Sequence, residues 1–410
     1  MKASHFAWVM VALLWGVALL NYLDRQVVFS MFPPLRRDLG FSNVELGLLS
    51  TVFLWPYAVL SPWAAYLGER LGRARTIVLS LAVWSLVTLA TGHARSVGSM
   101  LIARGLLGIS EAFCLPVALA LIADYHGSRT RSLATGIQFT GSYLGFVVAG
   151  AGGGWMAEHY GWRSAFTVLG VAGVVYSVFL LFVMPWREKS AAARPPQAPL
   201  HFASSVRELF RLAGFLRLTM AFSMMSIANF IVFTWLPIYI YERFRVSLTS
   251  AGFSATFYIQ VGSFSGILLG GWLADRWARS TGRGRVLTQV VGLAAAAPFL
   301  FVVGFTASPV LLDVCLVPFG LGRGMFDCNA MPVLCQIAPE EHRSIGYGIF
   351  NLAGCLCGGL MAAVAGYLKS TLGLVSAFAL AALVLLVAVG LLLGLRLPAA
   401  VAVGNPESVK

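Results

Sequence analysis

Long apolar stretches separated by short polar ones run along the whole chain. Twelve charge-poor stretches of about 20 residues recur, which is the length that a helix needs to cross a hydrocarbon core ~30 Å thick. Their approximate limits are 7–30, 44–67, 76–93, 97–123, 132–156, 164–184, 214–240, 249–274, 286–306, 310–337, 343–368 and 372–396. The pattern predicts an all-α integral membrane protein with twelve transmembrane helices in two pseudo-symmetric six-helix bundles.

One long polar connection divides the twelve stretches into six and six. We predict an N-terminal bundle at 1–185, a cytoplasmic linker at 186–213, a C-terminal bundle at 214–400 and a cytoplasmic tail at 401–410. Within the linker, the run from Ser204 to Arg211 alternates like a short amphipathic helix lying on the membrane surface. A disordered tether is the alternative. The first apolar run lacks a cleavage pattern, so we expect no secretion signal.

Two stretches carry small residues at every fourth position, and they occupy matching places in the two halves. Such a stripe lets a neighbouring helix backbone approach closely. The members are Gly141, Gly145, Ala149 and Gly153 in the fifth stretch, and Gly354, Gly358, Ala362 and Gly366 in the eleventh. The match indicates an internal repeat.

Composition and charge agree with a membrane protein. Of 410 residues, 59% are hydrophobic and only 11% are charged, which leaves too few polar residues to cover a soluble domain. The net charge is +13, and most Lys and Arg residues lie in loops on the side of the membrane that holds the N-terminus, as the positive-inside rule requires. The charge therefore does not indicate nucleic-acid binding. We predict a multi-pass protein of a bacterial-type inner membrane, with both termini cytoplasmic.

The sequence has no motif typical of a metal site, a nucleotide site or an enzyme active site. The six cysteines lie in or beside apolar stretches without the spacing of a disulfide framework or zinc site. The histidines lie near stretch ends and form no relay. A Walker phosphate loop is absent, and no nucleophile and base stand out. We therefore expect no metal, no cofactor and no enzymatic activity.

Ionisable residues inside the apolar stretches are the main candidates for function. A charge at membrane depth costs roughly 2.5–3.5 kcal/mol on insertion scales, so it is kept where it faces a cavity or a partner. Asp24 and Arg25 are adjacent, and Arg104 and Glu111 are two helical turns apart on one face. We expect Asp24 to pair with one arginine while the other meets a substrate. Permanent ion pairs that fix helix packing are the alternative.

A second charged pair lies in the tenth stretch. Arg323 and Asp327 are one turn apart on the same face, which suits a self-satisfied structural pair as well as a substrate site. Neutral side chains within the stretches could add hydrogen bonds to a substrate. These candidates are Tyr22, Gln138, Tyr143, Asn229, Tyr258, Gln260 and Asn351.

The loops after the second and eighth stretches match each other and resemble the inner-loop signature of the major facilitator superfamily. The second copy keeps Gly271, Leu273, Asp275 and Arg276, whereas the first has Glu69 in place of the aspartate. An acid among basic groups at helix ends can form a latch in one state and break it in another. The resemblance implies a cytoplasmic gate, and its candidate residues are Glu69, Arg70, Arg73, Asp275 and Arg276.

Within that superfamily, the chain resembles the anion:cation symporters. The resemblance rests on the run from Asn21 to Arg25, on Arg104 with Glu111, on the run from Gly161 to Arg163, and on the run from Trp235 to Tyr239. Spinster-like lysolipid transporters share the first two features. In the resembling symporters the residues matching Asp24 and Glu111 carry protons, and those matching Arg25 and Arg104 bind the anion.

The sequence thus predicts a secondary active transporter, a monomer in the lipid bilayer. We expect proton-coupled symport of a small organic anion, such as a sugar acid or another carboxylate, by alternating access. Burial favours the neutral form of a carboxyl and a nearby arginine favours the charged form, so proton and anion binding can be linked. A lysolipid transporter is the alternative. A channel or receptor is more remote, and a membrane enzyme fits least.

Overall fold

The computed structural model describes residues 3–127, 130–184 and 202–397, and these parts are helical without a strand. Most of the polar linker and the tail at 401–410 lie outside the described residues. The helices of the first half are α1 Ala3–Val27, α2 Phe32–Leu39, α3 Asn43–Leu71, α4 Arg73–Thr91, α5 Val97–Glu111, α6 Cys114–Tyr125, α7 Arg131–His159 and α8 Trp162–Val183. After the linker helix α9 Phe202–Arg211, the second half has α10 Phe215–Phe244, α11 Leu248–Ala278, α12 Gly284–Phe305, α13 Pro309–Ile337, α14 Arg343–Thr371 and α15 Leu374–Leu393.

The lengths and composition of these helices fit a membrane. Eleven helical stretches in the described part of the chain are long and apolar enough to cross one. Two of them join consecutive helices, 5–39 and 97–125. The remaining long helix, α7, has 29 residues and is rich in glycine. The predicted all-α fold with twelve spans is confirmed by this architecture together with the family match given below.

The fourth span is broken where the sequence predicted one continuous helix. Helix α5 ends at Glu111, and α6 begins at Cys114. Pro116 has no N–H to donate to the carbonyl of Ala112, and its ring would clash with that carbonyl in a continuous helix. The break therefore follows from Pro116, and it leaves Glu111 at a helix end.

The two stripes of small residues make equivalent contacts in the two halves. A Cβ added to Gly145 would lie 2.8 Å from the carbonyl oxygen of Leu19 in α1, so α7 packs closely on α1. A Cβ added to Gly358 would lie 2.3 Å from the ring of Phe230, so α14 packs closely on α10. The halves thus repeat one packing plan, as the matched stripes predicted.

The halves contact each other at one end of the molecule, which we call the closed end. There Arg36 donates to Glu242 (3.3 Å), and Asn43 donates to Ser370 (2.9 Å). The contacts continue inward along α3 and α14, as far as the bond from the Trp55 indole to the carbonyl of Leu356 (3.1 Å).

The halves separate towards the opposite end, which we call the open end. Among the described residues, no hydrogen bond joins the two halves beyond Trp55 towards this end. Tyr347 is 45% exposed on the same side. A central opening therefore runs between the halves from the open end, which also holds the N-terminal ends of α4 and α14.

Helix α9 packs on the second half at the open end. Its Ser205 and Leu209 are buried, and Glu208 accepts a hydrogen bond from His342, which is next to the start of α14 (2.6 Å). The helix covers the run from Ser204 to Arg211 that the amphipathic pattern predicted. Its position on a membrane surface stays a prediction.

Candidate functional site

Arg25 and Glu111, predicted from separate spans, form an ion pair between α1 and α5, both in the first half. The Arg25 guanidinium donates to Glu111 Oε2 through Nη2 (3.1 Å) and more weakly through Nε (3.4 Å). The Glu111 side chain is fully buried, whereas that of Arg25 is 16% exposed. The arginine is therefore the part of the pair that a solute can reach.

Three aromatic rings surround the Arg25 guanidinium. Its carbon lies 5.0 Å from the ring centre of Tyr22, 4.9 Å from that of Phe53 and 4.7 Å from that of Tyr57. Phe53 and Tyr57 are one turn apart on α3, and their rings stack on each other. Aromatic faces attract a cation and hold its plane in position. Sequence reasoning found Tyr22 but missed the α3 pair, whose four-residue spacing was the available signal.

Arg104 holds the end of α1. It donates to the carbonyl of Asp24 (3.2 Å) and to that of Arg25 (3.3 Å), just before α1 gives way to a 3-10 turn at Val28–Met31. Carbonyls near a helix end lack their usual partners, so a guanidinium there stabilises the end. Arg104 is 1% exposed, and in this conformation it contacts protein.

Asp24 forms no ion pair with either arginine in the described structure, unlike the arrangement expected from the sequence. Its buried carboxyl faces Trp84 and Thr88 of α4, and the ion pair forms between Arg25 and Glu111 instead. The reason is geometric, because successive helical residues point about 100° apart. One oxygen of Asp24 and one of Glu111 are buried without a hydrogen-bond partner among the described residues. Protonation would turn either oxygen into a donor.

Aromatic side chains from both halves continue from this cluster. The ring centres of Tyr22 and Phe146 are 5.0 Å apart, and those of Phe146 and Phe233 are 4.9 Å apart. Phe146 and Phe233 are buried. We call Tyr22, Phe146 and Phe233 the aromatic row. The two phenylalanines were not among the predicted residues, since nothing in the sequence distinguishes them from other apolar residues.

Arg323 and Asp327 form the pair expected from their spacing. Arg323 Nε lies 3.5 Å from Asp327 Oδ2, and Nη1 donates to Ser263 (3.3 Å). The guanidinium carbon lies 5.0 Å from the ring centre of Phe233, at the far end of the aromatic row. Asp327 is 43% exposed and Arg323 is 12% exposed. The pair therefore borders the central opening.

Three predicted amide side chains have polar atoms that are buried without a partner in the described structure. They are Oε1 of Gln138, Oδ1 of Asn229 and both amide atoms of Gln260. Such groups cost free energy unless water or a ligand satisfies them, so they remain candidates for substrate contacts.

The other neutral candidates divide into two groups. Tyr143 interacts electrostatically with both Arg323 and Asp327. Tyr258 packs edge-on against Phe257 (5.4 Å between ring centres) on α11, and Asn351 accepts a weak bond from Cys355 (3.8 Å). Neither of these two side chains bonds to a charged group among the described residues.

The predicted gate residues lie at the open end. Arg73 donates to Asp124 and to the carbonyl of Ala120, both in its own half. The Arg276 guanidinium lies over the Trp272 ring (5.7 Å), and Asp275 and Arg70 are exposed. The side chain of Glu69 lies outside what the structure describes. In this conformation the partners of Arg73 and Arg276 lie within their own halves.

Metal and disulfide chemistry have no site in the part of the chain that the structure describes. Within it, no three His, Cys, Asp or Glu side chains form a group that could hold a metal ion. The six cysteines are free thiols.

A buried charge cluster and an opening between two helical halves define a class of protein, the membrane transporters that expose a central site to one side at a time. The model of the Major Facilitator Superfamily matches residues 14–362, so the chain belongs to that family. It is a transporter and not an enzyme, as its relatives are transporters, and the family resemblance read from the sequence is confirmed.

Two groups of relatives match. The "Probable galactarate/D-glucarate transporter GudP" of Bacillus subtilis is 25% identical over 403 residues, with 91% of this chain and 88% of that protein covered. "Protein spinster homolog 1" of Homo sapiens is 30% identical over 314 residues. That match covers 71% of this chain but only 59% of the human protein.

A solved structure has the same fold. It is a bacterial homologue of the human lysosomal transporter Spinster, in an inward-facing and occupied conformation. The TM-score is 0.81 at 19% identity, and the match covers 95% of this chain and 96% of that one.

Proposed function

We propose that the protein couples protons to the transport of a small organic anion, such as a sugar acid or a related carboxylate, by alternating access. The observation that carries this proposal is the Arg25–Glu111 pair, in which a partly exposed guanidinium is held by a fully buried carboxylate. Such a pair links an anion site to a proton site directly. The galactarate/D-glucarate transporters among the relatives support a sugar acid as the substrate.

Protonation of Glu111 removes the negative partner of Arg25. The guanidinium is then free to hold a substrate carboxylate with two parallel hydrogen bonds, while the three rings around it keep its orientation. Loss of the proton restores the pair and displaces the anion. Asp24 is the second proton site, and Arg104 positions Arg25 by holding the end of α1 and binds the anion in other conformations.

The two ends of the molecule take different sides of the membrane. Basic residues gather at the open end, including Arg73, Arg131 and Arg343, which favours the cytoplasm for this end. Both termini are then cytoplasmic, the membrane is the inner membrane, and the structure is inward-facing. The gate residues close this end in the other state. The domain boundaries are those proposed from the sequence.

A lysolipid is the alternative substrate. The likeness to spinster homologues favours it, and so do the exposed aromatic side chains Trp63 and Tyr347, which could contact an acyl chain. In that case Arg25 would bind the headgroup phosphate. The two substrates differ in size and in the apolar wall that they need.

Transport by purified protein in liposomes tests the proposal. An inward proton gradient should drive accumulation of a radiolabelled sugar acid, and a protonophore should abolish accumulation but not exchange. Accumulation that a protonophore leaves unchanged would contradict proton coupling.

A thermal-shift screen of sugar acids, dicarboxylates and lysolipids at two pH values decides the substrate class, since a ligand stabilises the folded protein by mass action. Stabilisation by lysolipids alone would favour the alternative.

A further inference from the structure

The aromatic row ends in a guanidinium at both sides. Arg25 lies against Tyr22, from the first half, and Arg323 lies against Phe233, from the second half, each at 5.0 Å from the ring centre. Phe146 joins the two end rings. One cation of each half is therefore held by a shared aromatic surface.

Each of these cations is balanced by a carboxylate of its own half, but the second pair is the looser one. Arg25 donates two hydrogen bonds to Glu111, whereas Arg323 Nε lies 3.5 Å from Asp327 and makes no hydrogen bond there although it is buried. An unsatisfied guanidinium nitrogen is costly to bury, and a second acceptor would relieve that cost.

Two tyrosines interact electrostatically with groups at both ends of the aromatic row. Tyr143 of α7 and Tyr347 of α14 both lie within electrostatic range of Tyr22 at one side and of Asp327 at the other. Tyr347 is 45% exposed. A ligand that reached from one cation to the other would therefore pass phenolic hydroxyls, which donate and accept hydrogen bonds.

We propose that Arg323 is a second anion-binding residue, and that the site takes a linear dianion with one carboxylate at Arg25 and the other at Arg323. This inference rests on the proposed function and specifies the substrate class of the same site. A monoanion or a lysolipid headgroup would occupy only Arg25 and leave Arg323 with Asp327.

A substrate of this kind also contacts both halves. Its two ends bind helices that lie in different bundles, α1 and α13, so binding favours the conformation in which those helices come closest. A substrate with one anionic end lacks this effect. The contacts of the two carboxylates with α1 and α13 would then account both for selectivity for a dianion and for closure around it.

Binding of two six-carbon sugar acids to the purified protein tests the inference. Galactarate carries a carboxylate at both ends, and galactonate has a hydroxymethyl group at one of them. By calorimetry, wild type should bind galactarate at least about tenfold more tightly than galactonate, since one charge-assisted hydrogen bond contributes about that factor to affinity. Arg323→Gln should remove that preference and leave galactonate affinity within about threefold. Asp327→Asn should retain or strengthen galactarate binding.

Arg95→Gln is the matched control, because Arg95 is exposed in the loop after α4, at the closed end of the molecule. It should leave both affinities unchanged. Equal losses for both acids in Arg323→Gln, or no loss for galactarate, would overturn the role of Arg323. Wild type that binds galactonate as tightly as galactarate would overturn this inference while leaving the proposed function intact. Wild type that binds neither acid but binds lysophospholipid would overturn both.

Discussion

Two arginines of the first half have different physical tasks although they are neighbours. Arg104 is buried and donates to main-chain carbonyls, so its loss would free the end of α1. Arg25 donates to a carboxylate and remains partly exposed. A guanidinium can serve either task through its planar fork, whereas an ammonium cannot reproduce the fork geometry. The same conservative substitution should therefore have different consequences at the two positions.

Lysine substitutions separate the two roles. Arg25→Lys should weaken sugar-acid binding about tenfold and lower stability little, since the charge is kept but two parallel hydrogen bonds are not. Arg104→Lys should lower the free energy of unfolding by about 2 kcal/mol, because buried carbonyls lose a charged donor. Calorimetry and thermal unfolding measure the two effects. A larger loss of stability in Arg25→Lys than in Arg104→Lys would contradict the assignment.

Glu111→Gln keeps the shape of the side chain but removes its titration. Gradient-driven accumulation should fall at least about tenfold, while exchange of labelled for unlabelled substrate continues, since proton transfer is no longer possible. Flux assays in liposomes distinguish the two modes. Glu340→Gln is the control, because Glu340 is exposed at the open end. Full gradient-driven accumulation by Glu111→Gln would exclude Glu111 as a required proton carrier.

The sequence identified the charged residues of the site but not their partners. Charges inside apolar stretches are conspicuous, so Asp24, Arg25, Arg104 and Glu111 could be named at once. Which arginine meets which carboxylate depends on helix rotation, and a rotation of 100° exchanges the neighbours. Aromatic residues such as Phe233 are common in every span, so their place beside the cations required the structure.

At the scale of elements, the break between α5 and α6 leaves Glu111 at a helix end. Glu111 is the last residue of α5, and Pro116 prevents the helix from continuing unchanged. Hydrophobic length predicted the span but not the break, because the apolar stretch continues through it. The proline was visible in the sequence, yet prolines inside other spans, such as Pro298 in α12, leave their helices unbroken.

Substitution of this proline tests the role of the break. Pro116→Ala should not lower the melting temperature, since proline is less favourable than alanine by about 3 kcal/mol in a helix interior. It should lower the transport rate about tenfold, because a continuous helix would constrain the end of α5 that carries Glu111 and disturb its geometry with Arg25. Pro298→Ala, in a span without site residues, is the matched control. Normal transport by Pro116→Ala would show that the break has no function.

At the scale of the whole molecule, the closed end joins the halves through backbone contacts and a helix cap. A Cβ added to Gly252 would lie 1.9 Å from the carbonyl oxygen of Gly150 in the other half. Glu158 of α7 accepts hydrogen bonds from the backbone N–H of Leu248 (2.6 Å) and from the hydroxyl of Thr249 (2.6 Å), at the start of α11. This contact exists only while the closed end is closed.

Glu158→Ala should shift the molecule towards the state in which the closed end is open. Loss of a helix cap costs about 1 kcal/mol, and here the cost falls on one of two states. Spin labels at Tyr160 and Leu372, both exposed at this end, should show a larger population of long distances. Glu45→Ala is the control, because Glu45 bonds to Ser42 in its own half. An equal increase of long distances in Glu158→Ala and Glu45→Ala would contradict the role of Glu158 in holding the closed end.

The sequence predicted two bundles but not which end would be closed. Spans and repeats follow from local patterns of apolar and small residues, so they are readable along the chain. The state depends on contacts between residues far apart, such as Glu158 with Leu248, and those contacts exchange between states. A transporter sequence encodes both conformations, and a pattern common to both cannot select one.

The aromatic row has a consequence for the energy of the cell. The rings of Tyr22, Phe146 and Phe233 contact one another at tilted angles across the boundary between the halves, and a file of water cannot pass between rings in contact. A membrane that stores energy as a proton gradient tolerates no such file, since protons would cross it without cargo. The rings must also part when the halves move. We therefore expect their contact to limit proton leakage between transport cycles, when no substrate is present to fill the path.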